Sequence, residues 1–366
     1  MPAAGWLQLY NVRLQLRIRR AGFSGIRRSK LLPSKGTPLL ELEESPEQLS
    51  AAHGKSTRVS VVVPSYNHAS FVKQTLRSII RQTFTPAELL VIDDGSTDGS
   101  PKIIETVLHN CPFPCELVAR KNRGLSATLN EGFQRTRGDY FAYLGSDDLW
   151  LPDFLRARVS LLESRPNAVL AYGHAYFIDG ENHIVDCTAD WAHYADGDVR
   201  EMLLHTTAPM SPTVLYRRDA LWQQCWNEES KLEDYDLYLR LSAAGPFAFD
   251  ERVLSAWRRH SSNVSWDQTL MLEEQLRAQR LGALRFGLSD NEIEKLQRAT
   301  KFSRAEDFLR VGQKGKALGL LMHNWRGVRS PRETAKILLR LLIPNSFMRG
   351  RERVRQRRAR ERYGTL

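Results

Sequence analysis

The stretch YFAYLGSDDLWLPDF, residues 140–154, decides how the rest of the chain is read. Five apolar residues, Tyr140 to Leu144, run into Gly145 and Ser146. Two adjacent carboxylates follow, Asp147 and Asp148, and Pro152 then offers a helix start. Apolar strands enter a core, and charge avoids it because burying an unpaired ion is costly. A run that stops at Asp-Asp therefore predicts a strand delivering two carboxylates to the rim of a sheet. Oxygen ligands of this kind suit a hard divalent cation, which can share them with a phosphate.

Upstream, the same pattern occurs twice more. Val59–Val63 is a short continuous apolar run closed by Pro64, which predicts a strand buried on both faces, and Ser65-Tyr66-Asn67-His68 is its loop. Leu89–Ile92 is a second such run and ends in Asp93-Asp94-Gly95-Ser96. Between and after them, Phe71, Leu76, Ile79 and Ile80, then Ile103 to Leu108, then Leu125 to Phe133, fall at helical spacing, with a third strand predicted at Glu116–Ala119. Strand and helix alternate, which predicts right-handed crossovers and a mostly parallel sheet with flanking helices. Ligands of such sheets bind at the carboxyl ends of the strands, where these polar ends converge.

Downstream, the pattern predicts a helix over Phe154–Glu163 and a strand over Ala168–Ile178. Ile184–Cys187 pairs back as a hairpin, Thr213–Tyr216 makes a strand, a helix opens on Glu233-Asp234, and a strand over Val253–Trp257 ends in Arg258-Arg259-His260. From Asp267 only helices are legible, and Ser289 with Glu292 predicts a capping box.

The 366 residues exceed one compact domain, and 42% hydrophobic with 26% charged residues is ordinary for a folded protein. Three segments are expected: a basic segment and linker (1–57), a catalytic domain (58–262) and a basic helical extension (263–366). The net charge of +11 is uneven, because residues 301–366 carry 18 Lys and Arg against 5 Asp and Glu. Basic ends suit an anionic surface, and Arg13, Arg17, Arg19 and Arg20 interleave with apolar residues as in an amphipathic surface helix. Nucleic acid is disfavoured, since aromatics are not interleaved with the basic runs. Cys111, Cys115, Cys187 and Cys225 have no zinc spacing and read as reduced thiols, and the Asn263-Val-Ser265 sequon carries no weight. No run of about 20 apolar residues predicts a spanning helix. The expected location is cytoplasmic, peripheral at the inner face of the plasma membrane.

Five segments in this order, VVVPSYNHASFVKQTLRSIIRQTF, LLVIDDGSTDGS, NRGLSATLNEGF, FAYLGSDDLWLPD and LEDYDLYLRL, resemble the family 2 glycosyltransferases over about residues 58–262. The resemblance implies a GT-A fold and an inverting, metal-dependent transferase. Its donor is a UDP- or dTDP-sugar, its cofactor Mn2+ or Mg2+, and its acceptor a saccharide or a lipid-linked saccharide of bacterial surface polysaccharide assembly. By that resemblance Asp94 accepts from the nucleobase, Asp93 supports the ribose side, and Pro64, Tyr66 and Asn67 line the nucleotide end. Asp147 contacts ribose or sugar, Asp148 binds the metal, His260 stands near the metal or diphosphate, and Asp234, beside Glu233, is the catalytic base. One position departs: Gly145 stands where many relatives carry a third acid. Two other classes fit the residues less well. A nucleotidyltransferase needs a Gly-rich basic loop after the first strand, which Ser65-Tyr66-Asn67-His68 is not. A non-catalytic scaffold on the same fold predicts loss of the base, yet Asp234 is present.

Overall fold

Val59–Ser65 (β1) lies inside the parallel part of a nine-stranded sheet in a computed structural model that describes residues 58–260, 267–328 and 331–366. The chain continues through Val72–Ile80 (α1), Glu88–Asp93 (β2), Ser100–Leu108 (α2), Cys115–Ala119 (β3), Leu125–Arg135 (α3), Tyr140–Tyr143 (β4), Leu149–Trp150 (β5) and Phe154–Glu163 (α4). Leu170–Ile178 (β6), Ile184–Cys187 (β7), Arg200–Leu204 (α5), Leu215–Arg217 (β8), Arg218–Trp222 (α6), Glu233–Ala244 (α7) and Phe247–Arg258 (β9) follow. The last five helices are Gln268–Arg285 (α8), Asp290–Arg310 (α9), Lys314–His323 (α10), Pro331–Leu342 (α11) and Asn345–Tyr363 (α12).

The strand order is β3-β2-β1-β4-β8-β6-β9-β5, with β7 on β6. The four strands β3, β2, β1 and β4 are parallel, as strand-helix alternation requires. Alternation along each strand feeds two cores. Val59, Val61 and Val63 with Leu89 and Val91 pack under Leu76, Ile79, Phe154 and Val159. Val62, Leu90, Ile92, Phe141 and Tyr143 pack under Leu129, Phe133, Leu237 and Ala278 on the other face. Each such side chain contributes roughly 1.5–3 kcal/mol by leaving water, so both faces must be covered for the sheet to exist. The second core also takes in Ala283 and Ile293, so α8 and α9 are built onto the sheet domain.

Several elements differ from the sequence expectation. β1 runs two residues further, through Pro64, because its ladder with β4 ends at Val62 and a residue without an N–H is tolerated on an unpaired edge. β9 starts at Phe247 rather than Val253, α5, α6 and α10 were not foreseen, and β5 has only two residues. β5 pairs with Ser255 and Ala256 of β9, which brings the loop after β4 beside the end of β9. The Ser289 capping box forms as expected, with the Glu292 side chain accepting from Ser289 N. All four cysteines are free. The 1–57 segment, with its amphipathic arginines, and Asn263 lie outside the described residues.

Candidate active site

Three loops at the carboxyl ends of β1, β2 and β4 are laced together by short polar side chains. Asn67 sits in the left-handed region at φ 54°, which Asn tolerates, and its Oδ1 accepts from Thr97 N at 2.8 Å. Ser96 Oγ accepts from Asn67 N, and Ser100 Oγ accepts from His68 N. Asp98 accepts from Ala69 N and from Ser100, and these hydrogen bonds hold its carboxyl below the usual value although its partial burial opposes them.

The expected nucleotide residues gather on this edge, each with a distinct environment. Pro64 is buried in β1, and Tyr66 is exposed in the loop. Asp93 is buried and closes its own turn, its carboxylate accepting from Ser96 N at 2.8 Å and from Ser96 Oγ at 2.6 Å. Asp94 is buried too. It accepts from Arg123 N (2.9 Å) and Gly124 N (2.8 Å), and the Arg120 guanidinium lies against it. These donors fix the carboxylate where α3 begins. Ser65 Oγ, at the tip of β1, is buried with no partner among the described residues.

The loop after β4 separates its two acids. Asp148 turns inward: it is buried and accepts from Arg258 N at 2.8 Å, and burial, with Asp147 alongside, pushes its carboxyl well above the ordinary range. Asp147, not Asp148, joins a group of metal-ligating type. Its Oδ2 lies 2.8 Å from His260 Nε2 and its Oδ1 lies 3.8 Å from His68 Nδ1. The ligand atoms of His68, Asp147 and His260 all fall within 4.8 Å of one another. Burial lowers the His68 pKa, and His260 adds to that against the pull of Asp147, so the ring is neutral at pH 7 and has a lone pair to give. Ser146 Oγ lies 2.8 Å from His68 Nδ1, which leaves Nε2 as the nitrogen whose lone pair is not engaged by that bond.

Arg258 holds the ensemble. Its Nε donates to Asp147 O, its guanidinium reaches Asp179 O, Asn182 Oδ1 and Gln74 Oε1, and it stacks over the Phe71 ring. One fully buried side chain thus joins β9, the Asp147 loop, α1 and the β6–β7 hairpin.

Asp234 opens α7 on the same end of the sheet. Tyr143 OH, at the tip of β4 and four residues before Asp147, donates to Asp234 Oδ2, and Trp226 Nε1 lies 3.4 Å from Oδ1. Burial raises the Asp234 pKa to about 6, with the bonds from Tyr143, Trp226 and Ser211 acting in the opposite direction. Burial and the neighbouring Asp234 raise Glu233 to about 8. A largely buried carboxylate poised near 6 is suited to proton abstraction. His68, Arg258, Tyr143 and Trp226 were not foreseen. A single histidine in a polar loop or an aromatic in a core run carries no spacing signal, and only the crossing of distant segments reveals them.

Residues 60–224 match the family model for glycosyl transferase family 2. The chain is 25% identical over 227 residues to an uncharacterised glycosyltransferase of Rickettsia prowazekii, covering 60% of this chain and 69% of that protein. It is 29% identical over 210 residues to the chondroitin synthase of Escherichia coli, covering 57% of this chain but only 30% of that protein. Among solved structures, S. aureus TarS 1–349 in complex with UDP-GlcNAc superposes with a TM-score of 0.51 at 16% identity, over 84% of this chain and 91% of the other. The mannosyltransferase PcManGT of Pyrobaculum calidifontis in complex with GDP-Man and Mn2+ gives 0.54 at 16%, over 84% and 86%. At these identities the superpositions establish the fold, a GT-A fold with added helices at its C-terminal end.

Proposed function

With residues 60–224 belonging to glycosyl transferase family 2, we propose that this chain is an inverting, metal-dependent enzyme. It moves a sugar from a UDP- or dTDP-type donor to a saccharide or lipid-linked acceptor in bacterial surface polysaccharide assembly. The observation that carries the reading is the convergence of three groups on one sheet edge: Asp94 after β2, the His68–Asp147–His260 group, and Asp234 held by Tyr143.

The nucleotide lies across the tips of β1 and β2, between Tyr66, Asn67 and Asp94. Asp93 acts by holding the turn that presents Asp94. One oxygen and two imidazole nitrogens within 4.8 Å fit a single divalent cation, which when bound offsets the charge that builds on the departing diphosphate. Imidazole donors suit Mn2+ better than Mg2+, which prefers an oxygen shell. Asp148, the acid that the resemblance puts on the metal, has one oxygen held by the Arg258 amide of β9 and its second oxygen left for the ion. Asp234 takes the proton of the attacking hydroxyl from the face opposite the leaving group, as single displacement with inversion requires.

The test is release of the nucleoside diphosphate from UDP- and dTDP-sugars with Mn2+, for wild type, Asp147→Ala and Asp234→Asn. Turnover by wild type alone supports the reading. Donor binding without turnover in all three proteins would favour a non-catalytic module on the same fold.

A further inference from the structure

We propose that α11 and the start of α12 form the face by which this protein docks on an anionic lipid bilayer. This extends the acceptor side of the function above, and its test does not depend on sugar transfer. Leu338, Leu339 and Leu342 lie within one arc of α11, and they are 49%, 59% and 81% exposed. Ile337 on the opposite side is buried in the helical core, and Leu341 packs against that core. Pro344 turns the chain, and Phe347, 57% exposed, follows in the first turn of α12. The carbonyls of Leu341 and Ile343 are fixed by Lys314 Nζ, so this corner is held in place, and Leu318, one turn along α10 from Lys314, is exposed as well.

Four large apolar side chains left in water at one rigid corner mark a docking surface rather than scattered exposure. The charge around them selects the partner. Lys336 is exposed beside the arc, and α12 carries eight arginines against two glutamates. The inner side of α12 is used for anchoring: Arg355 and Arg360 reach Asp186 and Asp179, Arg362 reaches Asp190 at 2.9 Å, and Tyr363 packs on Tyr176. Arg351, Arg353 and Arg358 are exposed on its remaining surface. An apolar wedge bordered by fixed cations matches acyl chains below anionic headgroups. Among the described residues no helix is long and apolar enough to cross a membrane, so the contact is interfacial.

The experiment is co-sedimentation of the full-length protein with phosphatidylcholine vesicles with or without phosphatidylglycerol, at low and high salt. Two variants are compared, Leu338→Gln/Leu339→Gln/Leu342→Gln/Phe347→Ser and Arg351→Gln/Arg353→Gln/Arg358→Gln. Wild type should bind only the anionic vesicles and lose affinity with salt. The arginine variant should bind roughly a hundredfold more weakly. The apolar variant should bind weakly with an unchanged circular dichroism melt and unchanged donor hydrolysis. The arginine variant changes only exposed side chains and so remains decisive if the apolar variant unfolds. The proposal is overturned if wild type ignores both vesicle types or if both variants bind as wild type does. It is equally overturned if the apolar variant abolishes a wild-type dimer while vesicle binding persists, because the face would then serve a second copy.

Discussion

Gly145 leaves room for the acids that follow it. A Cβ built there would lie 2.9 Å from Asp147 Oδ1, closer than real Cβ contacts allow, and a tight 3.2 Å from Asp148 Oδ2. The space a third acid would use is filled by the other two. Gly145→Ala should push Asp147 off His260 and weaken Mn2+ binding by about tenfold while the melting temperature moves little, as metal titration against a melt will show. As the proposed base, Asp234 should set the acid limb. Its carboxyl is raised to about 6 and acts only when ionised, so turnover should climb as pH rises through about 6, and Asp234→Asn should abolish that limb with the rate. At this scale the sequence was informative about acids and poor about their directions. Asp94, Asp147 and Asp234 were singled out and stand on one edge. The adjacent Asp148, expected on the metal, has its Oδ1 taken by the Arg258 amide, a contact with a strand 110 positions away that no sequence pattern records. His68 escaped notice because its partners lie 78 and 79 positions away.

The elements that position the site are the smallest and least regular ones. β5 has two residues, yet its pairing with β9 is what sets Asp147 against His260. No periodicity can be read over two residues. The early half of β9 was missed because Asp250, Glu251 and Arg252 interrupt its apolar pattern, and there Asp250 instead pairs with the buried Arg158 at 2.7 Å. Long buried runs such as β1, β2 and α4 were legible because both cores demand unbroken apolar faces. At the head of α7, Glu233 is raised to about 8 by burial and by Asp234. The fold therefore favours its protonated form, and the stability it contributes is present below the ordinary value of 4.5 and lost as pH rises toward about 8. Glu233→Gln should flatten that decline in melting temperature across the same range. In the other direction, Arg258→Lys keeps charge but loses the planar fork, so the Asp147 loop and the hairpin should loosen together, costing about 1–3 kcal/mol in urea unfolding and lowering Mn2+ affinity.

Across the whole molecule the helices after β9 complete the catalytic domain rather than trail from it. α8 and α9 close one core, and α12 returns to the β6–β7 hairpin, where Thr365 bridges to His183. That hairpin also holds Arg258, so the basic C-terminal helix and the Asp147 loop are joined by one chain of contacts. Sequence reading placed the basic helices but had no means to say where they pack, since their apolar residues fit a solvated face, a core or a bilayer equally well. The proposed function stands on one cation site, formed where three strands end and facing the donor. Paramagnetic titration of Mn2+ measures it most directly, with and without UDP, on wild type and Asp147→Ala. Wild type should bind one Mn2+ per chain, more tightly with UDP, and Asp147→Ala should lose that ion. Equal Mn2+ binding by the two proteins, indifferent to UDP, would contradict this.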